Sequence, residues 1–181
     1  MRTLVLTVIL VKSLTGAERV QIEHLAGGNS VFIKDVKGSG STQIYRTVKP
    51  SQQGSQLLLT HHRRDLVSTI PQDARVVAPR EEEQLISKTG DFWKTMSQKR
   101  FHYYAQQSTK VLVEPVKVEQ WVSEGDIVES AGVKFRVMAT PGFTRGAISY
   151  LATIKGKRYA FTGDLIYGDG KIFDLYSFQD A

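Results

Sequence analysis

The second half of the chain alternates apolar and polar residues in runs of strand length, with little more than a turn between them. The runs are Val111 to Val113, Val133 to Met138, Ala147 to Ile154 and Tyr159 to Phe161. A period of two sends every second side chain to the same face, so these runs predict strands with one buried face. A first group of strands is predicted at Val20 to Leu25, Ser30 to Ile33, Gln56 to Thr60 and Val76 to Ala78, with a turn at Gly27-Gly28-Asn29 and a flexible loop over Gly38 to Ser41. Helix signals lie between the groups. Pro79 fits a helix start, where its missing N–H costs nothing, and Glu81, Glu82 and Glu83 suit the positive end of the first turn. Asp91 is placed to cap a second helix through Phe92, Trp93 and Met96. Two groups of strands with helices between them predict two sheets covered by helices, an α/β (α+β) arrangement.

A length of 181 residues suits one domain, and 41% hydrophobic against 23% charged residues leaves enough apolar material for a core. The formal charge of +6 is modest. Nucleic-acid binding would need a clustered basic face with interleaved aromatics. Two short stretches come near that, Lys99 to Tyr104 and Lys155-Gly156-Lys157-Arg158-Tyr159, and the second reads better as a hairpin turn between apolar runs. No nucleic-acid partner is expected. With no cysteine in the chain, disulfides, thiolate metal sites and a cysteine nucleophile are excluded, so any metal would need histidine and carboxylate ligands.

The N-terminus carries Arg2, then the apolar run Leu4 to Val11, then small residues at Thr15-Gly16-Ala17. This is the order of a signal peptide, and the run is shorter than the roughly 20 residues a membrane-spanning helix needs. Residues 1–17 are expected to be removed on export, leaving residues 18–181 with no integral membrane association. A buried first strand is the competing reading of the same run.

Three polar clusters fall at the ends of apolar runs. Leu57-Leu58-Leu59-Thr60 leads into His61-His62-Arg63-Arg64-Asp65-Leu66; Thr140-Pro141-Gly142-Phe143-Thr144 precedes Ala147; and Tyr159-Ala160-Phe161-Thr162 leads into Gly163-Asp164-Leu165. In layered folds, strand ends of this kind carry sites. In order and flanking residues these stretches resemble the metallo-β-lactamase superfamily, whose members carry T-H-x-H-x-D-H, T-P-G-H-T and F-x-G-D segments. The resemblance runs from about Val20 to the C-terminus. It implies the four-layer αβ/βα sandwich, here cut short before a further histidine, and a hydrolase acting on a small-molecule ester or amide with zinc or iron.

Carried across position by position, the resemblance implies metal ligands at His61, Asp65 and Asp164, with Asp65 also orienting water if the protein is active. Arg63, Leu66 and Phe143 stand where three histidines belong. Arginine is donor-only and always charged, and Leu66 and Phe143 offer no lone pair. His62 stands next door as a substitute ligand, although neighbours on extended chain point to opposite sides. A metal-free form therefore stays open beside a zinc or iron form. In it, Arg63 is expected to replace the metal as counter-charge by pairing with Asp164, Asp65 or both, at a cost of a few kcal/mol on removal if the pair is buried. His24 and His102 are expected to be structural, and Trp93 and Trp121 core or lid residues.

Overall fold

The computed structural model describes residues 20–24, 31–35, 41–44, 56–63, 67, 70–90, 115–167 and 170–172. Six strands form a mixed sheet in the order of the chain: β1 (Val20–His24), β2 (Val31–Asp35), β3 (Ser41–Ile44), β4 (Gln56–Leu58), β5 (Arg75–Pro79) and β6 (Val118–Val122). The pairs β1–β2 and β2–β3 are antiparallel, whereas β3 to β6 run parallel. A second sheet is an antiparallel meander of β7 (Ile127–Ser130), β8 (Val133–Ala139), β9 (Ile148–Ile154) and β10 (Lys157–Phe161). A small ribbon of β11 (Ile166–Tyr167) and β12 (Lys171–Ile172) follows.

The side-chain period of two explains how β4 and β5 lie inside. Leu58 and Val77 face the second sheet and share one core with Ile33, Ile44, Phe135, Val137, Ile148, Tyr150 and Phe161. Leu57, Leu59, Val76 and Ala78 point the other way, onto Ile86 with Trp121 alongside. Strands buried on both faces read as continuous apolar runs, which is why Leu57-Leu58-Leu59 and Val76-Val77-Ala78 stand out in the sequence. Trp121, expected in a core or lid, packs at the edge of this second cluster. Ile86 belongs to α1 (Glu83–Ile86), which follows a 3₁₀ turn over Arg80–Glu82 with Pro79 as its N-cap. The described residues thus form three layers: helix, mixed sheet, antiparallel sheet.

Several expectations need correction. Ser41 opens β3 and is buried, although Gly38 to Ser41 reads as a loop. Its strand is polar, Ser-Thr-Gln-Ile, and it is held by pairing with β2 and β4 on both sides and by a hydrogen bond from Thr42 to the Ser130 hydroxyl. β6 and β7 are absent from the sequence reading because exposed polar residues, Glu119 and Gln120 in one and Glu129 in the other, dilute their apolar signal. The Lys155–Tyr159 stretch is a hairpin, as expected: Lys155 and Gly156 both take positive φ (51° and 75°) between β9 and β10. Ala131 and Gly132 do the same between β7 and β8. Such paired positive-φ turns match the twist of the strands they join. Residues 1–17, the turn at Gly27 to Asn29, the helix from Asp91, His102 and the run Val111 to Val113 lie outside the described residues.

The two sheets are tied together at one point. Tyr150, on β9 and fully buried, donates its hydroxyl to the Leu59 carbonyl at 3.0 Å, just beyond β4. Its ring meets Phe135 edge-on at 6.4 Å. Burial pushes the Tyr150 phenol above its ordinary range, so the group remains a neutral donor. Tyr150→Phe keeps the ring and removes the donor. It is expected to lower the unfolding free energy by about 1–2 kcal/mol with an unchanged m-value in a urea titration.

Candidate functional site

The residues that leave β4, enter β9 and leave β10 meet at one end of the two sheets. Leu59 N–H still donates to the Val77 carbonyl at 2.9 Å, so the chain stays extended past β4. The Thr60 carbonyl then accepts from Ile148 N–H at 2.8 Å, across to the start of β9. His61 therefore emerges at the seam between the sheets and is 1% exposed. Asp164 arrives from the third direction, in the 3₁₀ turn Gly163–Leu165 that follows β10.

Gly163 is what allows that approach. Its φ is +57°, and a Cβ there would run into the Thr60 hydroxyl and lie 3.1 Å from His61 Nδ1. Only glycine combines that backbone with that proximity. Thr60 Oγ1 lies 3.0 Å from His61 Nδ1 and holds the ring from behind. The other nitrogen, Nε2, lies 3.3 Å from Asp164 Oδ2.

Arg63 and Phe143, two of the positions where the resemblance implies histidine, lie against this pair. Arg63 Nη1 donates to the same Asp164 Oδ2 at 2.7 Å. The Phe143 ring tilts at 53° over His61 with centroids 4.8 Å apart, and the Arg63 guanidinium carbon lies 5.9 Å from the Phe143 centroid. The structure thus brings together His61, Arg63, Phe143 and Asp164 from three separate stretches of sequence. The pairing expected of Arg63 is present on its Asp164 side. Asp65 and Leu66 lie outside the described residues.

The four described side chains of this cluster do not by themselves make up a metal-ligand set. Only two of them, His61 and Asp164, offer a donor atom, and the Asp164 oxygen facing His61 already carries a guanidinium. Among the described residues no group of three His, Asp or Glu side chains is placed to hold a metal, so His62 completes no set there. Structural and catalytic zinc sites take at least three protein ligands.

One residue of the site escapes the sequence reading. Glu82 suits a helix-dipole role on paper, yet it is fully buried beneath the cluster. Its Oε2 accepts from His62 N–H at 3.2 Å and its Oε1 from Gly146 N–H at 2.9 Å. Burial pushes its carboxyl above the ordinary glutamate value, against the opposing effects of Thr144, His62, His61 and Gly146. A signal was available: Glu82 precedes the buried Leu85 and Ile86 by three and four residues, the spacing of one helix face.

Comparison by sequence finds no matching family model and no matching curated protein. Comparison of folds is decisive. A metallo-β-lactamase from Staphylococcus aureus subsp. aureus COL superposes with a TM-score of 0.53 at 16% identity, covering 83% of this chain and 45% of that one. A β-lactamase from Chitinophaga pinensis gives 0.51 at 20% identity, over 83% of this chain and 66% of that one. A mutant of the Cronobacter sakazakii metallo-β-lactamase with an HARLDQ motif gives 0.51 at 17% identity, over 72% and 54%. The chain has the metallo-β-lactamase fold, the αβ/βα sandwich, and spans from under half to about two thirds of the length of these neighbours. No helix among the described residues is long and apolar enough to cross a membrane.

Two outcomes follow. The Arg63 side chain is 40% exposed, so the condition of burial attached to a loss of a few kcal/mol is not met. Solvent screening brings the loss for Arg63→Ala to about 1 kcal/mol, measurable as a small fall in denaturation midpoint. For Glu82, a carboxyl whose folded-state value is raised above 4.5 binds more protons in the native than in the unfolded chain. Its contribution to stability is full below that value and declines as pH rises through the raised one. Wild type minus Glu82→Gln, followed by denaturation against pH, is expected to show that decline.

Proposed function

We propose that this chain is an exported, hydrolase-like protein of the metallo-β-lactamase fold, in which the metal site is degraded and Arg63 supplies the positive charge. The observation that carries this reading is the 2.7 Å contact between Arg63 Nη1 and Asp164 Oδ2, the oxygen that also faces His61. A largely buried carboxylate without a nearby cation is costly, and a guanidinium relieves that cost as a fixed, donor-only charge. Phe143 then covers with hydrocarbon the side of His61 from which a further ligand would come.

A Cronobacter sakazakii metallo-β-lactamase of this fold bears an HARLDQ motif, which supports an arginine at the position of Arg63. That motif shares histidine, arginine and aspartate at its first, third and fifth positions with His61-His62-Arg63-Arg64-Asp65-Leu66. Arginine at the third position is thus found in a protein of this fold that bears the name metallo-β-lactamase. The neighbours are named β-lactamases, which supports a small molecule with an amide-type bond as the ligand class. In the stricter version of the reading the site binds such a molecule without cleaving it, as a scaffold descended from the enzymes.

A second reading keeps one zinc or iron on His61, Asp65 and Asp164 and retains hydrolysis. It is favoured by the 3.3 Å separation of His61 Nε2 and Asp164 Oδ2, which two ligands of one ion can share. Elemental analysis of protein purified without a chelating tag distinguishes the two. The expected result is well below one metal per chain and no turnover of a chromogenic β-lactam or aryl ester, with metal uptake rising in Arg63→His. Near-stoichiometric zinc or iron that disappears in Asp164→Ala would establish the second reading instead. Export rests on residues 1–17; N-terminal sequencing of the protein from the cell exterior is expected to begin just after Ala17, and an intact Met1 start there would overturn it.

A further inference from the structure

The cluster is assembled from loops that share no secondary structure. His61 and Arg63 follow β4, whereas Phe143 stands in the loop that precedes β9. Their relative placement needs a part that touches both loops. Glu82, which enters from the 3₁₀ turn after β5, is that part.

We propose that Glu82 is a positioning residue: its buried carboxylate grips one backbone N–H from the His61 loop and one from the Phe143 loop, and so sets the spacing between them. Each oxygen serves one loop, Oε2 taking His62 N–H at 3.2 Å and Oε1 taking Gly146 N–H at 2.9 Å. An ionised carboxylate is an acceptor on both oxygens, which is what two converging donors require. Glutamine would present one oxygen and one NH₂, so one loop would meet a donor. The fit is close on the far side as well. A Cβ on Gly146 would come within 2.6 Å of Glu82 Oε1 and 2.7 Å of the Glu81 Cβ. The Phe143 loop is therefore drawn onto Glu82 at a distance only glycine permits.

The energetics point the same way. A fully buried carboxylate is expensive, and an apolar side chain would fill the space without that cost. The donors turned toward Glu82 from two separate loops account for a charged residue here. The two contacts of Glu82 are to backbone N–H groups and not to Arg63 or Asp164, and its role holds whether or not the cluster ever binds metal. Failure of the degraded-site reading would leave it standing.

The test is amide hydrogen exchange and through-hydrogen-bond coupling by NMR on the full chain. In the wild type, scalar coupling is expected from the His62 and Gly146 amide nitrogens to the Glu82 carboxyl carbon. In Glu82→Gln, one of those two amides is expected to exchange at least about tenfold faster, while amides of the β8–β9 pair keep their rates. The His61 ring nitrogens should shift in the same variant. Glu82→Asp retains the charge on a shorter arm and is likewise expected to release one loop. Absence of coupling at both amides in the wild type would overturn the proposal. So would wild-type exchange at both amides in the variants, or acceleration in step with every other amide, which marks a merely structural role.

Discussion

The hydrogen bond from Ile148 N–H to the Thr60 carbonyl is the contact on which the rest of the site depends. It joins the last extended residue after β4 to the first residue of β9, and so ties the mixed sheet to the antiparallel one at the end where the loops emerge. Tyr150 repeats the tie two residues further along β9, through Leu59. Both carbonyls belong to a strand buried on its two faces, where an unpaired backbone group is costly. The sheets are therefore fixed to each other by polar groups that have nowhere else to go. His61 then has a single place to stand, and Gly163 brings Asp164 to it.

Charge balance shapes what that place can do. In a site built for a cation, carboxylates and imidazoles converge on an open position. Here the guanidinium of Arg63 sits on the Asp164 oxygen that faces the imidazole, and the Phe143 ring lies over both. The backbone around it is closely fitted, with a glycine before Asp164 and a glycine against Glu82. The chemistry at the tip is what differs. On the proposed reading, the fold has outlasted the reaction for which its loops were arranged, since fold and function are separable.

Much of this was legible in the sequence, and the physical reasons for what was not are specific. Continuous apolar runs revealed β4 and β5, and alternation revealed β8, β9 and β10. β3 stayed hidden because its burial is achieved by Ser41, Thr42 and Gln43, whose hydrogen bonds no pattern of hydropathy records. β6 and β7 carry too few inward residues to show a period. The meeting of His61, Arg63, Phe143 and Asp164 could be read because three motifs at strand ends fell in the right order. Glu82 was missed despite its spacing to Leu85 and Ile86, because it sits in the middle of three glutamates whose local logic is that of a helix terminus. The exposure of Arg63, which decides how much its ion pair matters, belongs to tertiary structure alone.

The two positive-φ turns, at Ala131-Gly132 and Lys155-Gly156, also bear on how the molecule assembles. They make β7–β8 and β9–β10 hairpins with two-residue connections, and contacts of that kind close on the microsecond scale. The parallel strands β3 to β6 pair only after much longer stretches of chain have been brought together, which is entropically slow. Topology therefore favours a meander that forms first and serves as the template for the mixed sheet. The ion-paired cluster, whose parts come from both halves, is completed only when the slow half arrives, so during synthesis and refolding it is among the last features to exist.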